Sequence, residues 1–240
     1  MVKISERLRT AAGLIGEGER LADVGTDHGY VPIYLVEQKR IPSAIAMDIR
    51  TGPLERAREH IRMYGMEDYI QIRLSDGVAA LGPGETDSIL IAGMGGGLVI
   101  HILESGRAIC EQACGLVLQP QSELPKVRRF LMENGYVTER EEMVMEDGKY
   151  YPMMRVHFDA SAVSHADSFT EEQELEFRYG KQLLTEKHPV LLAYLGWEAQ
   201  IQQDILTQLS GQPATEQIAA RIDDVKQILA QNARALAYYE

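Results

Sequence analysis
Eight consecutive residues, Asp23-Val24-Gly25-Thr26-Asp27-His28-Gly29-Tyr30, hold most of the chain's chemical promise. They follow the apolar run Leu21–Val24 and open the helix-patterned run Val31–Gln38, the place where α/β sheets bind ligands. A dinucleotide fingerprint needs three glycines there, so that bare backbone can approach a pyrophosphate. This chain has Gly25 and Gly29 but puts Asp27 where the middle glycine should stand. A carboxylate facing a pyrophosphate is repelled. A phosphate-free adenosine cofactor carrying an ammonium and a sulfonium, S-adenosylmethionine, suits a loop bordered by Asp23 and Asp27. The competing reading of the same residues is a tight turn with a helix-capping Asp.

Three further sites fall in register with that loop. Asp48 ends the apolar run Ala44–Asp48, 23 residues after Gly25, where an acid takes the ribose hydroxyls of an adenosine cofactor. Ser75-Asp76-Gly77 follows Ile70–Leu74, and an acid there can accept from the adenine amino group. Ile91-Ala92-Gly93-Met94-Gly95-Gly96-Gly97 ends the run 87–92, and its glycines either open the backbone beside a ligand or allow close helix–strand packing. The Asn/Asp-Pro-Pro-aromatic sequence of amino-group adenine methyltransferases is missing here. A ring nitrogen or a non-nucleic acceptor is therefore a better reading than the exocyclic amine. Cofactor-binding candidates are Asp23, Gly25, Asp27, Gly29, Asp48, Asp76, Gly77, Gly93 and Met94.

The elements that must position these residues alternate. Helical patterns at 4–15, 31–38, 52–64, 98–105 and 126–133 separate strands at 21–25, 44–48, 70–74, 87–92 and 116–118. A hairpin closes the series, 136–145 and 150–158 around Asp147-Gly148. The alternation predicts an α/β fold with a mainly parallel sheet covered on both faces. A terminal antiparallel hairpin is a feature of Rossmann-like class I methyltransferases rather than of NAD-binding domains. After the small, polar stretch Ala160–Ser168 only helices are expected: Thr170 to about Lys187, Val190–Leu209, and Pro213 or Thr215 to about Tyr238. The last two form an antiparallel, coiled-coil-like hairpin about 30 Å long. The expected division is a cofactor-binding domain over 1–160 and an all-α domain over 161–240.

Among 240 residues there are 24 basic and 36 acidic side chains, net −12, which taken whole argues against nucleic acid. The charge is uneven: residues 1–158 hold 18 basic and 23 acidic side chains, and residues 159–240 hold 6 and 13. The first part can still carry a basic face. No window reaches the length of an apolar membrane span, and the charged start Lys3–Arg7 carries no apolar leader, so a cytoplasmic protein is expected. Cys110 and Cys114, with no accompanying histidine or second pair, read as free thiols on a helix, and no metal site is expected. Trp197 reads as hairpin core, and Glu139–Glu142 as a solvated edge strand.

The motifs VGTDHGYVP, AMDIR, SDG and IAGMGGG, together with the C-terminal helical hairpin, resemble the bacterial tRNA adenine-22 N1-methyltransferases. The resemblance spans nearly the whole chain, strongest over 20–120 and weakest after 160. It implies S-adenosylmethionine as donor and N1 of a tRNA adenine as acceptor. It also implies that Asp27, His28, Tyr30 and the Gly93–Gly97 loop border the methyl-transfer site. Asp27 then either stabilises the cation forming on the base or binds the donor's ammonium. Tyr30 is placed to stack a flipped adenine, and His28 to hydrogen-bond the base or shape the loop.

For tRNA the candidate contacts are Lys3 and Arg7, read as i and i+4 on the first helix, with Arg9, Arg50, Arg56, Lys126, Arg128 and Arg129. A monomer is the expected state, with no membrane partner. Two other functions fit the same fold: a non-enzymatic methyltransferase-like binding module, and a small-molecule methyltransferase.

Overall fold
The computed structural model describes residues 2–164, 168–213 and 215–240. Residues 165–167, including His165, and the residue between Pro213 and Thr215 lie outside the described residues. The chain divides into two compact units, residues 1–167 and 168–240.

The first unit holds a seven-stranded sheet in the order β3-β2-β1-β4-β5-β7-β6. Its strands are β1 (Leu21–Val24), β2 (Ala44–Asp48), β3 (Ile70–Leu74), β4 (Ser88–Met94), β5 (Gly115–Pro120), β6 (Tyr136–Glu146) and β7 (Lys149–Phe158). β1 to β5 pair in parallel, β7 pairs antiparallel with β5, and β6 pairs antiparallel with β7. The hairpin turns at Asp147 and Gly148, both at positive φ (50° and 73°), so that Glu146 faces Lys149. The helices are α1 (Glu6–Gly13), α2 (Tyr30–Glu37), α3 (Thr51–Met63), α4 (Gly96–Ser105), α5 (Arg107–Cys110) and α6 (Leu124–Glu133). Because strand side chains alternate in direction, Ala22 and Val24 pack on one face with Val99 and Val127, while Leu21 packs on the other with Ala11, Ala12 and Val31. The order reverses between β1 and β4. Chain leaving β1 turns to β2 and β3, and chain leaving β4 turns to β5, opening a crevice at their carboxyl ends.

Several elements depart from expectation for local reasons. The Ser5 hydroxyl accepts from the Leu8 N–H and caps α1, so the helix starts at Glu6 and Lys3 lies before it. Lys3 and Arg7 are therefore not an i, i+4 pair on one helix. Cys110 ends α5 and Cys114 falls beyond it, so the thiols do not share a helix face. Burial pushes the Cys110 thiol up to about 12 and keeps it protonated. On the edge strand β6, Glu141 is buried rather than solvated.

The second unit contains α7 (Glu171–Tyr179), α8 (Lys181–Thr185), α9 (Pro189–Ser210) and α10 (Glu216–Leu236). The single helix expected from Thr170 to Lys187 is two, because Gly180, at φ 97° and ψ 125°, leaves helical space. Trp197 is 49% exposed and sits beside the Tyr194 ring at 5.7 Å, outside the core of Leu191, Leu195, Val225 and Ala235.

Candidate active site
The residues expected to do chemistry converge at the switch point. A cavity of about 250 Å³ is walled by the β1–α2 loop (Asp23, Gly25 to His28, Tyr30), by the end of β4 (Ala92, Gly93), and by Arg7, Leu8 and Gln121. Backbone conformation builds the loop. Gly25, Asp27 and Gly29 all lie at positive φ (74°, 43° and 70°), and the Gly25 and Thr26 N–H groups donate to the Met47 carbonyl. The positive φ of Gly25 is one that L side chains rarely adopt, which favours glycine there, and the Met94 Cε packs over the position a Cβ would take.

Asp23 is 6% exposed, and the Thr26 hydroxyl donates to it at 2.6 Å. Burial pushes its carboxyl up to about 6, the Thr26 bond offsets part of that rise, and the neighbouring Asp48 carboxylate adds to it. Such a carboxylate needs a cation. Asp48 is also buried, and its Oδ1 accepts the Arg50 N–H at 2.8 Å. Beyond it Ile49 (60% exposed) and Leu74 (57%) place apolar side chains at the ends of β2 and β3. Asp76 is exposed beside them, and Gly77 turns at φ 53°. A buried uncompensated acid, a ribose-height acid and an apolar ledge on neighbouring strands fit the donor S-adenosylmethionine, with its ammonium, ribose and adenine.

Asp27 is 59% exposed and already partnered: Arg56 Nη2 donates to Oδ1 at 2.7 Å, and His28 Nε2 lies 3.3 Å from Oδ2. Tyr30 belongs to a three-ring cluster, 5.2 Å from His28 and 4.8 Å from His60, both near-parallel. The His60 Nδ1 lies 3.0 Å from the His28 carbonyl oxygen. His60 arrives on α3, 32 residues from the loop it braces, with no local sequence signal.

The glycine run divides its labour. Gly93, at φ 77°, lines the cavity, and its N–H donates to Gln119 Oε1 at 3.1 Å. Gly95 caps α4, while the Gly96 N–H donates to the Ser122 hydroxyl and the Gly97 N–H to Glu123 Oε2. A Cβ on Gly96 would strike the Ser122 carbonyl oxygen. Gly95 to Gly97 therefore serve close packing of the β5–α6 connection, and Met94 is the last residue of β4 rather than loop.

The cations predicted for tRNA separate into two groups. Three are engaged within the protein. Arg7 lines the cavity. Arg56 holds Asp27. Arg128 is 8% exposed and bonds Glu141 Oε1 through Nε at 3.0 Å, which removes it from any RNA face. Lys3, Arg9, Arg50 and Lys126 are exposed and Arg129 is half-buried, with Arg9 on Glu6 and Lys126 on Glu123. Among the described residues no acid, histidine and cysteine cluster could hold a metal, and no helix is long and apolar enough to cross a membrane.

This sheet order, with its reversed final strand and acid-bordered first loop, defines a class I methyltransferase. A family model described as a methyltransferase domain matches residues 4–154. The tRNA (adenine(22)-N(1))-methyltransferase of Bacillus subtilis is 34% identical over 236 residues, 95% of this chain and 98% of that protein. The crystal structure of the B. subtilis m1A22 tRNA methyltransferase matches with TM-score 0.82 at 31% identity, covering 98% of this chain and 99% of that one. A Streptococcus pneumoniae structure described as a putative tRNA (m1A22) methyltransferase in complex with S-adenosyl-L-methionine matches with TM-score 0.78 at 32% identity, covering 95% and 100%. The chain belongs to the bacterial tRNA (adenine(22)-N(1))-methyltransferase family.

Proposed function
We propose that this protein transfers a methyl group from S-adenosylmethionine to N1 of adenine 22 in tRNA. The observation that carries the reading is the β1–α2 loop, where Asp23, a buried carboxylate with no cation beside it among the described residues, shares one cavity with Asp27, His28 and Tyr30.

The donor, when bound, supplies an electrophilic methyl on a sulfonium. Asp23 faces its ammonium, Asp48 accepts from the ribose hydroxyls, Asp76 from the adenine amino group, and Ile49 lies against the adenine ring. Gly25, Gly29, Gly77 and Gly93 keep the turns around it tight, and Met94 closes over Gly25. The target adenine must leave its stack to reach such a cavity. Tyr30, steadied by His28 and His60, provides the aromatic surface for it, and stacking of this kind is worth about 1–3 kcal/mol per base.

Adenine N1 carries its own lone pair, so no general base is required and no proton leaves N1 in the transfer. What the site must supply is orientation and tolerance of the positive charge arriving on the base. Asp27 supplies the second. Arg56 and His28 hold its carboxylate in place, and the attraction to the base grows toward the transition state. The tRNA backbone lies across the exposed cations Lys3, Arg9, Arg50 and Lys126 and the half-buried Arg129, and the protein acts as a monomer in the cytoplasm.

The test is methyl transfer to tRNA lacking the native modification, followed by nucleoside digestion and mapping. The expected product is N1-methyladenosine at position 22, and a methyl group on any other atom overturns the reading. Asp27→Asn keeps shape and removes charge. It should slow single-turnover transfer by about a hundredfold, with donor affinity changed less than about tenfold. A large loss of donor affinity with an unchanged rate at saturation would make Asp27 a binding residue.

A further inference from the structure
The β6–β7 hairpin outruns the sheet at the end where the cavity opens. β7 pairs antiparallel with β5 over 154–156, and its residues 149–153 continue past that pairing toward the carboxyl end of β5. Among the described residues β6 is the only strand that pairs with this overhang. The overhang is fixed to α1: Glu146 Oε1 accepts the Glu6 N–H at 2.7 Å, an acid at a helix N-terminus, and the Tyr151 ring lies 5.4 Å from the Arg7 guanidinium. Arg7 also lines the cavity, so cavity and overhang are continuous through it. Strand alternation sorts the side chains. Val144 and Tyr151 stand opposite each other and pack against the cluster that holds Ala11 and Val31. Met145 and Tyr150, the next opposed pair, point to the other face, where Met145 is 55% exposed and Tyr150 half-buried. A methionine turned to water opposite a tyrosine, beside a ligand cavity, makes an adaptable apolar surface.

We propose that Met145 and Tyr150 form a ledge for a tRNA nucleobase next to the target adenine. The inference rests on the acceptor named above. An adenine that leaves its stack for the cavity leaves its sequence neighbours at the rim, each short of a stacking partner. Tyr150 supplies the replacement face, and Met145 widens it with a side chain that makes no polar demand. Continuity with the cavity through Tyr151 and Arg7 makes RNA the occupant, because the strand that carries the adenine must cross that rim. Every base has a face to stack. The ledge therefore holds the strand in place and leaves the choice of adenine to other contacts.

Titration of the full chain with intact tRNA, and with tRNA made abasic at the nucleotide on either side of adenine 22, tests this. The unmodified protein should bind one of the two abasic tRNAs about tenfold more weakly than intact tRNA, the loss of one base stack. Tyr150→Ala should weaken intact tRNA by about the same factor, and should weaken that abasic tRNA by less than about twofold further. Tyr150→Phe should stay close to the parent. Affinity for S-adenosylmethionine should not move, which also shows that the variant is folded. The salt slope should not move either, because no phosphate contact is lost. Equal affinity of the unmodified protein for intact and both abasic tRNAs overturns the proposal without requiring any variant to fold. So does a fully additive loss when Tyr150→Ala meets each abasic tRNA, or a loss in Tyr150→Phe as large as that in Tyr150→Ala. If the unmodified protein binds no tRNA or methylates another atom, the acceptor reading itself falls and this inference with it.

Discussion
Asp23 in the sheet unit and Glu198 in the helical unit are equally hidden, 6% and 4% exposed, yet burial has opposite outcomes for them. Among the described residues Asp23 accepts one hydroxyl and meets no cation, so burial dominates and its carboxyl is pushed up to about 6. Burial acts on Glu198 in the same sense, but four donors outweigh it. Asn232 and Tyr179 bond Oε2 at 3.0 and 2.6 Å, and Arg178 and Tyr194 bond Oε1 at 2.8 and 3.0 Å. Its pKa ends below the ordinary 4.5. Compensation, not depth, separates them. A buried charge that the fold satisfies pins helices together, and one that the fold leaves alone waits for a ligand.

The largest effect should come from breaking the compensated charge. Glu198→Ala leaves Arg178, Tyr179 and Asn232 facing one another without their acceptor, and losing one member of a buried pair costs about 3–5 kcal/mol. Denaturant unfolding with hydrogen exchange across α7, α9 and α10 should show that loss, with donor affinity unchanged. A loss below about 1 kcal/mol would mean the network is incidental.

The same substitution logic at Asp23 should run backwards. Asp23→Asn keeps the shape and removes an unfavourable buried charge. A carboxyl whose folded pKa is raised stabilises the fold fully only below its unfolded value near 3.8, and that stability is lost as pH rises through about 6. At pH 7.5 the variant should therefore be more stable than the parent, by on the order of 1–3 kcal/mol, while binding the donor at least about tenfold more weakly. At pH 4 the stability difference should nearly vanish. For Glu198 the sign reverses: its stabilisation is present above 4.5 and is lost as pH falls through its lowered folded value. Melting scans in which Asp23→Asn destabilises the protein at pH 7.5 would erase the contrast.

A smaller effect follows on binding. If the ammonium needs the ionised Asp23, donor affinity should rise with pH through about 6 and level off. Between pH 7.5 and pH 5 the loss is about tenfold for one group one unit below its pKa. The profile should be flat in Asp23→Asn, and a parent profile that is equally flat assigns the ammonium to another group.

The contrast also marks what the chain reveals before it folds. Asp23, Gly25, Asp27 and Asp48 were legible because strand ends and positive-φ turns are local features, and the structure brings the first three into one cavity with Asp48 on the neighbouring strand. Compensation is not local. Glu198 draws its donors from 4 to 34 residues away, Arg56 reaches Asp27 across 29, and Arg7 meets Gln119 across 112. Sequence shows the charge but not the partner, so Arg7, Arg56 and Arg128 read as surface cations and Trp197 as core. His60, Gln119 and Gln121 gave no signal at all, because each owes its place to a contact between distant elements.

The weakest expected effect separates the two kinds of cation. Arg128 is compensated by Glu141 and buried, whereas Lys3 is exposed and precedes the first helix. If exposure without compensation marks the tRNA contacts, Lys3→Ala should weaken tRNA binding only severalfold. It should also lower the slope of log affinity against log salt by slightly less than one unit, as about one released counterion requires. Donor affinity and stability should not move. Arg128→Met should do the converse, changing stability through loss of the buried bond to Glu141 while leaving the salt slope of the folded protein as it was. Fluorescence titrations at several salt concentrations decide between them. A salt slope that falls for Arg128→Met and stays put for Lys3→Ala would place the RNA on the β6 side of the sheet.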